Sequence, residues 1–161
     1  MATKDIAFLS ATELGSVIKS KEISPVEAVE AYLDRIERID PQVNSYITVC
    51  AEQARGEALQ AEAEIRRGEY RGSLHGIPIG IKDQIYTKGL LTTDASKIRS
   101  DFIPKFDATV VTNLKKAGAV LLGKLNMSEF AHGEPQSSAF GPARNPWDLT
   151  RSPGTSSTGS G

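Results

Sequence analysis

The chain has 161 residues, 39% of them apolar and 24% charged, proportions that fit one ordinary globular domain and exclude a disordered or fibrous chain. Nineteen Lys and Arg stand against twenty Asp and Glu, a net charge of −1, and no basic cluster alternates with aromatics, so a direct nucleic-acid partner is not expected. The one cysteine, Cys50, follows Ile47, Thr48 and Val49 and reads as a small buried hydrophobe, which removes an internal disulfide and a cysteine metal cluster.

The N-terminus MATKDIAFLS holds no long apolar stretch, and the run Ala119 to Leu122 falls far short of the roughly 20 residues a membrane helix needs. No membrane partner is expected, and the reading is cytoplasmic. Ser10-Ala-Thr-Glu13 has the form of a capping box, with Leu14, Val17 and Ile18 at helical spacing, predicting a first helix to about Lys19 or Ser20. Ser24-Pro25-Val26-Glu27 opens a second, with Pro25 at the first helical position. Its stripe is Val26, Val29, Tyr32, Leu33, Ile36 and Ile39, and Asp40-Pro41 are expected to stop it. Val43 to Cys50 reads as extended. Ala51 to Arg67 reads as a charged helix with a thin stripe of Ala51, Ala54, Ala58, Ala61 and Ile65, ended by Gly68 and expected to lie on the outside.

From Leu74 the character changes. Gly76 to Ile81 is apolar and β-branched, a strand that Pro78 confines to an edge or a strand end, closed by Lys82 and Asp83. Asp107 is placed to cap a helix bearing Val110, Val111 and Leu114, ended by Gly118, and Ala119 to Gly123 reads as a second buried strand. Strand, helix, strand implies a crossover unit and an α/β class, with an irregular stretch from Thr87 to Lys105. A short helix capped by Ser128 follows, then a Pro/Gly/Asn-rich stretch with Trp147, and a Gly/Ser/Thr tail from Ser152 to Gly161.

Lys82 stands out because a lysine at the inner end of an apolar strand loses hydration, which disfavours its charged form. A lysine serves as a base near neutral pH when its pKa falls from about 10.4 to about 7 to 8. The alternative is a side chain that snorkels to water. Asp83 would oppose the shift if it turned back, but neighbours in an extended segment point to opposite faces. The hydroxyl-rich tail Pro153 to Gly161 is either a flexible linker or a loop around an anionic or tetrahedral centre, where a Ser-Lys pair is a known form of nucleophile activation. His75 and His132 sit in no metal-ligand pattern and read as turn or packing residues. Trp147, after Asn145-Pro146, reads as a loop anchor filling a surface groove.

Gly76-Ile-Pro-Ile-Gly-Ile-Lys82-Asp83, Thr92-Thr-Asp-Ala-Ser-Lys97, Gly118-Ala-Val-Leu-Leu-Gly-Lys-Leu-Asn-Met-Ser-Glu-Phe130, Ser138-Ala-Phe-Gly-Pro-Ala-Arg-Asn-Pro-Trp-Asp148 and Pro153-Gly-Thr-Ser-Ser-Thr-Gly-Ser160, in this order, resemble the amidase signature family. The resemblance implies an α/β fold with a mixed central sheet flanked by helices, and amide hydrolysis by a Ser, cis-Ser, Lys triad without a cofactor. Residues 1–161 would be the N-terminal part of a single amidase domain, with 1–72 a mainly helical start and 73–161 the start of the catalytic core. Lys82 matches the family's lysine and Ser156 its bridging serine, with Ser157 the fallback one residue on. Thr155 and Thr158 stand where glycines are commonest in the family.

The family's nucleophilic serine belongs to a Gly-Gly-Ser block downstream of the bridging serine, beyond Gly161, so the fragment alone is expected to be inactive. The leading expectation is a parent amidase with a small-molecule amide substrate, as a possible homodimer. The alternative is the A subunit of a tRNA-dependent amidotransferase, which passes glutamine-derived ammonia to partner subunits. It ranks lower because His132-Gly-Glu-Pro-Gln-Ser-Ser138 resembles that protein less well. A non-catalytic remnant or binding module is the third.

Overall fold

The computed structural model describes residues 6–134 and 136–161. The readings made on MATKDIAFLS and on His132 to Ser138 thus fall partly outside the described residues. Helices α1 (Ala11–Lys19), α2 (Pro25–Val43), α3 (Ala51–Arg66) and α4 (Thr109–Lys116) alternate with strands β1 (Tyr46–Val49), β2 (Pro78–Lys82) and β3 (Val120–Leu125). The strands make one sheet in the order β1-β3-β2. β1 runs antiparallel to β3, pairing Tyr46 with Leu125 and Thr48 with Lys124. On the other side Val120 donates to the Ile77 carbonyl and Asp83 to that of Leu125, partners that advance together, so β2 and β3 are parallel and the sheet is mixed. Pro78 is the first residue of β2, where its missing N–H does least harm. No helix of the described residues is long and apolar enough to cross a membrane.

The chain separates into two compact units. The first comprises residues 6–37, Cys50–Ile79 and Thr112–Leu122. Its helix starts follow from their caps. Glu13 N–H donates to Ser10 Oγ at 3.3 Å and Ser10 N–H returns to Glu13 Oε2 at 2.8 Å; Ser24 and Glu27 repeat the exchange at 3.1 and 2.8 Å. The Ser24 N–H, and then its hydroxyl, hold the Glu27 carboxyl below the usual carboxylate range. The core is aliphatic: Ile6, Leu14, Ile18, Ile23, Ala28, Ala31, Ile65 and Ile77. On α2 the small Ala28 and Ala31 are buried with Val29 and Leu33, while Val26, Tyr32, Ile36 and Ile39 are only half-covered. The thin stripe of α3 is buried at Ala54, Ala58, Ala61 and Ile65, and Glu52, Gln53, Leu59 and Gln60 on its other faces are exposed. Cys50 is buried and free.

The second unit comprises Arg38–Val49, Gly80–Val111 and Gly123–Gly161. Here α2 corrects the sequence reading: it runs through Asp40-Pro41 to Val43. The proline lies in the last turn, where little helix remains for it to disrupt, and the Asn44 N–H closes the helix on the Asp40 carbonyl at 2.7 Å. Asp40 still organises the exit, since its carboxylate accepts from the Ser45 N–H at 2.7 Å and the Ser45 hydroxyl. Asp107 Oδ1 accepts from the Lys88 N–H at 2.7 Å, and α4 begins at Thr109. β3 extends two residues past the expected Gly123, to Leu125, and is buried along Val120 to Lys124.

Candidate active site

The site lies within the second unit. β2 delivers Lys82 at its last position, half-buried, and burial pushes the amine's pKa below the ordinary lysine range. Lys82 Nζ lies 2.8 Å from Ser156 Oγ. The Thr155–Ser156 peptide bond is cis. Ser156, the first of the serine pair, is thus the one brought to Lys82; Ser157 precedes the short 3-10 turn Thr158–Ser160 and accepts at its carbonyl from the Ser160 N–H at 2.9 Å.

The hydroxyl-rich segment is pinned to the chain that continues from β3. Ser128 N–H donates to the Ser156 carbonyl at 3.0 Å, and Gly159 N–H to the Asn126 carbonyl at 2.8 Å. Gly159 is required by that approach: a Cβ there would come within 2.1 Å of the Ser45 carbonyl oxygen. Asn126 is fully buried, and its side-chain amide donates to the carbonyls of Asn44 and Gly141 at 2.9 and 3.0 Å.

Asp83 follows Lys82 and is fully buried on its own set of donors. Its Oδ2 accepts from the Thr93 N–H at 2.8 Å, the Thr93 hydroxyl at 2.5 Å and the Ala95 N–H at 3.3 Å. Asp94 and Ala95, both with φ near the left-handed region at 53° and 56°, turn those amides toward it. Asp94 is ion-paired with Arg99, whose guanidinium also donates to the Tyr86 hydroxyl at 2.6 Å. Lys124, fully buried on β3, donates to the Ile85 carbonyl at 2.8 Å, to Thr92 Oγ1 at 2.8 Å and to the Asp83 carbonyl at 3.3 Å. Its Nζ lies 3.9 Å from Asp83 Oδ1.

Sequence reasoning did not single out Lys124, because it ended the strand at Gly123. The signal was available in a lysine continuing an unbroken apolar run. The other candidates fall elsewhere. His75, in the first unit, is buried with Nδ1 accepting from the Arg71 N–H at 3.1 Å and Nε2 3.0 Å from Glu64; burial lowers its pKa, with Glu64 opposing. His132 is exposed. Trp147 fills no groove: its side chain is 95% exposed, and only the turn reading holds, with the Trp147 N–H donating to Asn145 Oδ1 at 2.9 Å. A loop that satisfies its own backbone through Asn145 does not need the indole as an anchor. Among the described residues no three His, Cys, Asp or Glu side chains gather as a metal site.

The family model for Amidase matches residues 27–161. The A subunit of glutamyl-tRNA(Gln) amidotransferase from Moorella thermoacetica is 50% identical over 96% of this chain, and that from Geobacter sp. (strain M21) 52% over 97%. The chain spans 32% of the length of each of these relatives. Among solved structures, the peptide amidase of Stenotrophomonas maltophilia is 36% identical with a TM-score of 0.90, covering 96% of this chain and 33% of its own. A fatty acid amide hydrolase is 28% identical with a TM-score of 0.92, covering 98% of this chain and 28% of its own. A mixed sheet flanked by helices, matched across this span in both sequence and backbone, assigns the chain to the amidase signature family, as a relative of the amidotransferase A subunits.

Proposed function

We propose that this chain is the N-terminal part of an amide hydrolase and supplies the base and the proton relay of a Ser, cis-Ser, Lys triad. The neutral Lys82 amine accepts the proton of the Ser156 hydroxyl, and Ser156 takes one from the nucleophilic serine as that oxygen attacks the amide carbon. The same path then runs in reverse to protonate the leaving nitrogen, and water releases the acyl group as a carboxylate. The nucleophile and its oxyanion hole belong to the Gly-Gly-Ser block that the family resemblance implies downstream of Gly161. Residues 1–72 then form the mainly helical start of the domain and 73–161 the start of its catalytic core.

The observation that carries this reading is the 2.8 Å contact between a half-buried lysine amine and the Ser156 hydroxyl. A neutral amine needs the absence of a counter-carboxylate, and Asp83 is engaged by Thr93, Ala95 and Lys124. The test is hydrolysis of simple carboxylic amides and of glutamine by the full-length protein. Lys82→Ala is expected to lower kcat by about 100-fold or more while the thermal melt stays in place. Unchanged turnover removes Lys82 from the mechanism.

A second reading makes the parent a glutaminase that hands ammonia to a partner. It is favoured by the identity of 46% to 54% to the amidotransferase A subunits, against 36% to the solved peptide amidase and 28% to the fatty acid amide hydrolase. Glutamine hydrolysis that rises when the partner subunits are added supports it, and turnover of simple amides without any glutaminase activity sinks it. No turnover of either substrate by the full-length protein would leave a binding module.

A further inference from the structure

Lys124 has no solvent exposure and sits on an otherwise apolar strand. A buried ammonium persists only where acceptors and opposite charge replace its water. Two of its acceptors, the carbonyls of Asp83 and Ile85, belong to the turn that immediately follows Lys82. Farther along the same chain, the Ser128 N–H holds the Ser156 carbonyl at 3.0 Å. β3 and its extension therefore grip the backbone behind each partner of the Lys82–Ser156 contact.

We propose that Lys124 is a positioning residue for Lys82: its ammonium clamps the turn at 83–85 that aims the Lys82 side chain. This rests on the reading of Lys82 as the base. The charged groups on the segments around that turn include Asp83, Lys124 on β3, Asp94 paired with Arg99, and Lys88 with Asp107, whose carboxylate accepts from the Lys88 N–H. Without the Lys124 ammonium the turn at 83–85 loses its ties through the Asp83 and Ile85 carbonyls, and water reaches the half-buried Lys82 amine. Restored hydration favours protonated Lys82. Because the base works in its neutral form, the acid limb of the pH–rate profile then moves to higher pH. A merely structural role would lower the rate at every pH and leave the limb in place.

The experiment is kcat/KM against pH, together with a thermal melt, for the full-length protein and its Lys124→Met, Thr92→Val and Lys82→Ala variants. Lys124→Met is expected to move the acid limb upward by about one pH unit. Thr92→Val keeps the shape and removes one acceptor of the ammonium, so it moves the limb the same way by less. Folded variants with an unmoved limb overturn the inference, and if Lys124→Met does not fold, Thr92→Val alone decides it. Wild-type turnover in Lys82→Ala brings down the functional reading and this inference with it. Loss of turnover in Lys82→Ala with an unmoved limb in the others overturns only the role of Lys124.

Discussion

The two units of this chain are built by different physics. In the first, the main buried cluster is aliphatic, Leu14, Ile18, Ile23 and Ile65 among them, with His75 and Glu64 as its buried polar pair, and non-directional burial holds capped helices together. In the second, the fully buried residues include Asp83, Thr87, Thr92, Thr93, Ser96, Lys124, Asn126 and Ser128, and much of the backbone is irregular. A polar interior tolerates little slack, because an unmet donor or acceptor costs more than a met one contributes. That rigidity suits a segment that must hold two side chains at hydrogen-bond distance.

The comparison is broken most severely from the aliphatic side. Leu14→Ala empties a site with 1% exposure and is expected to cost about 2 to 5 kcal/mol in urea denaturation, with the pH dependence of turnover unchanged. A moved profile would show that the two kinds of interior are not separable. Thr93→Val strikes the polar side by removing the hydroxyl 2.5 Å from Asp83 Oδ2; about 1.5 to 3 kcal/mol is expected, accompanied by lower turnover. Stability lost without any change in rate would make the Asp83 network a matter of folding alone. The smallest effect belongs to Ser24→Ala, which removes the cap of α2 for about 1 kcal/mol, read as a shift in melting temperature and no change in kcat.

Legibility in the sequence followed the same division. The helix starts at Ser10 and Ser24, the Gly118 stop and the place of Pro78 at a strand end were readable because local chemistry decides them within a few residues, although the strand begins at Pro78 rather than the expected Gly76. The helix passing Pro41 was missed because its closing bond is made by Asn44, beyond the proline. For the site, residue types left Lys82 and the hydroxyl tail open between bland and chemical readings, and family resemblance put them forward. The groups that hold their backbone lie far along the chain: Ser128 ties the Ser156 carbonyl, and Lys124 ties the carbonyls of Asp83 and Ile85, a contact that depends on β3 lying beside β2. No local pattern encodes such contacts.

Trp147 is the sole tryptophan of the 161 residues, and its indole stands almost wholly in water. Its emission in the folded chain therefore already has the red-shifted character of an unfolded one. Fluorescence from this residue is blind to the melting of the aliphatic core, and it becomes informative only when something desolvates the loop that carries it.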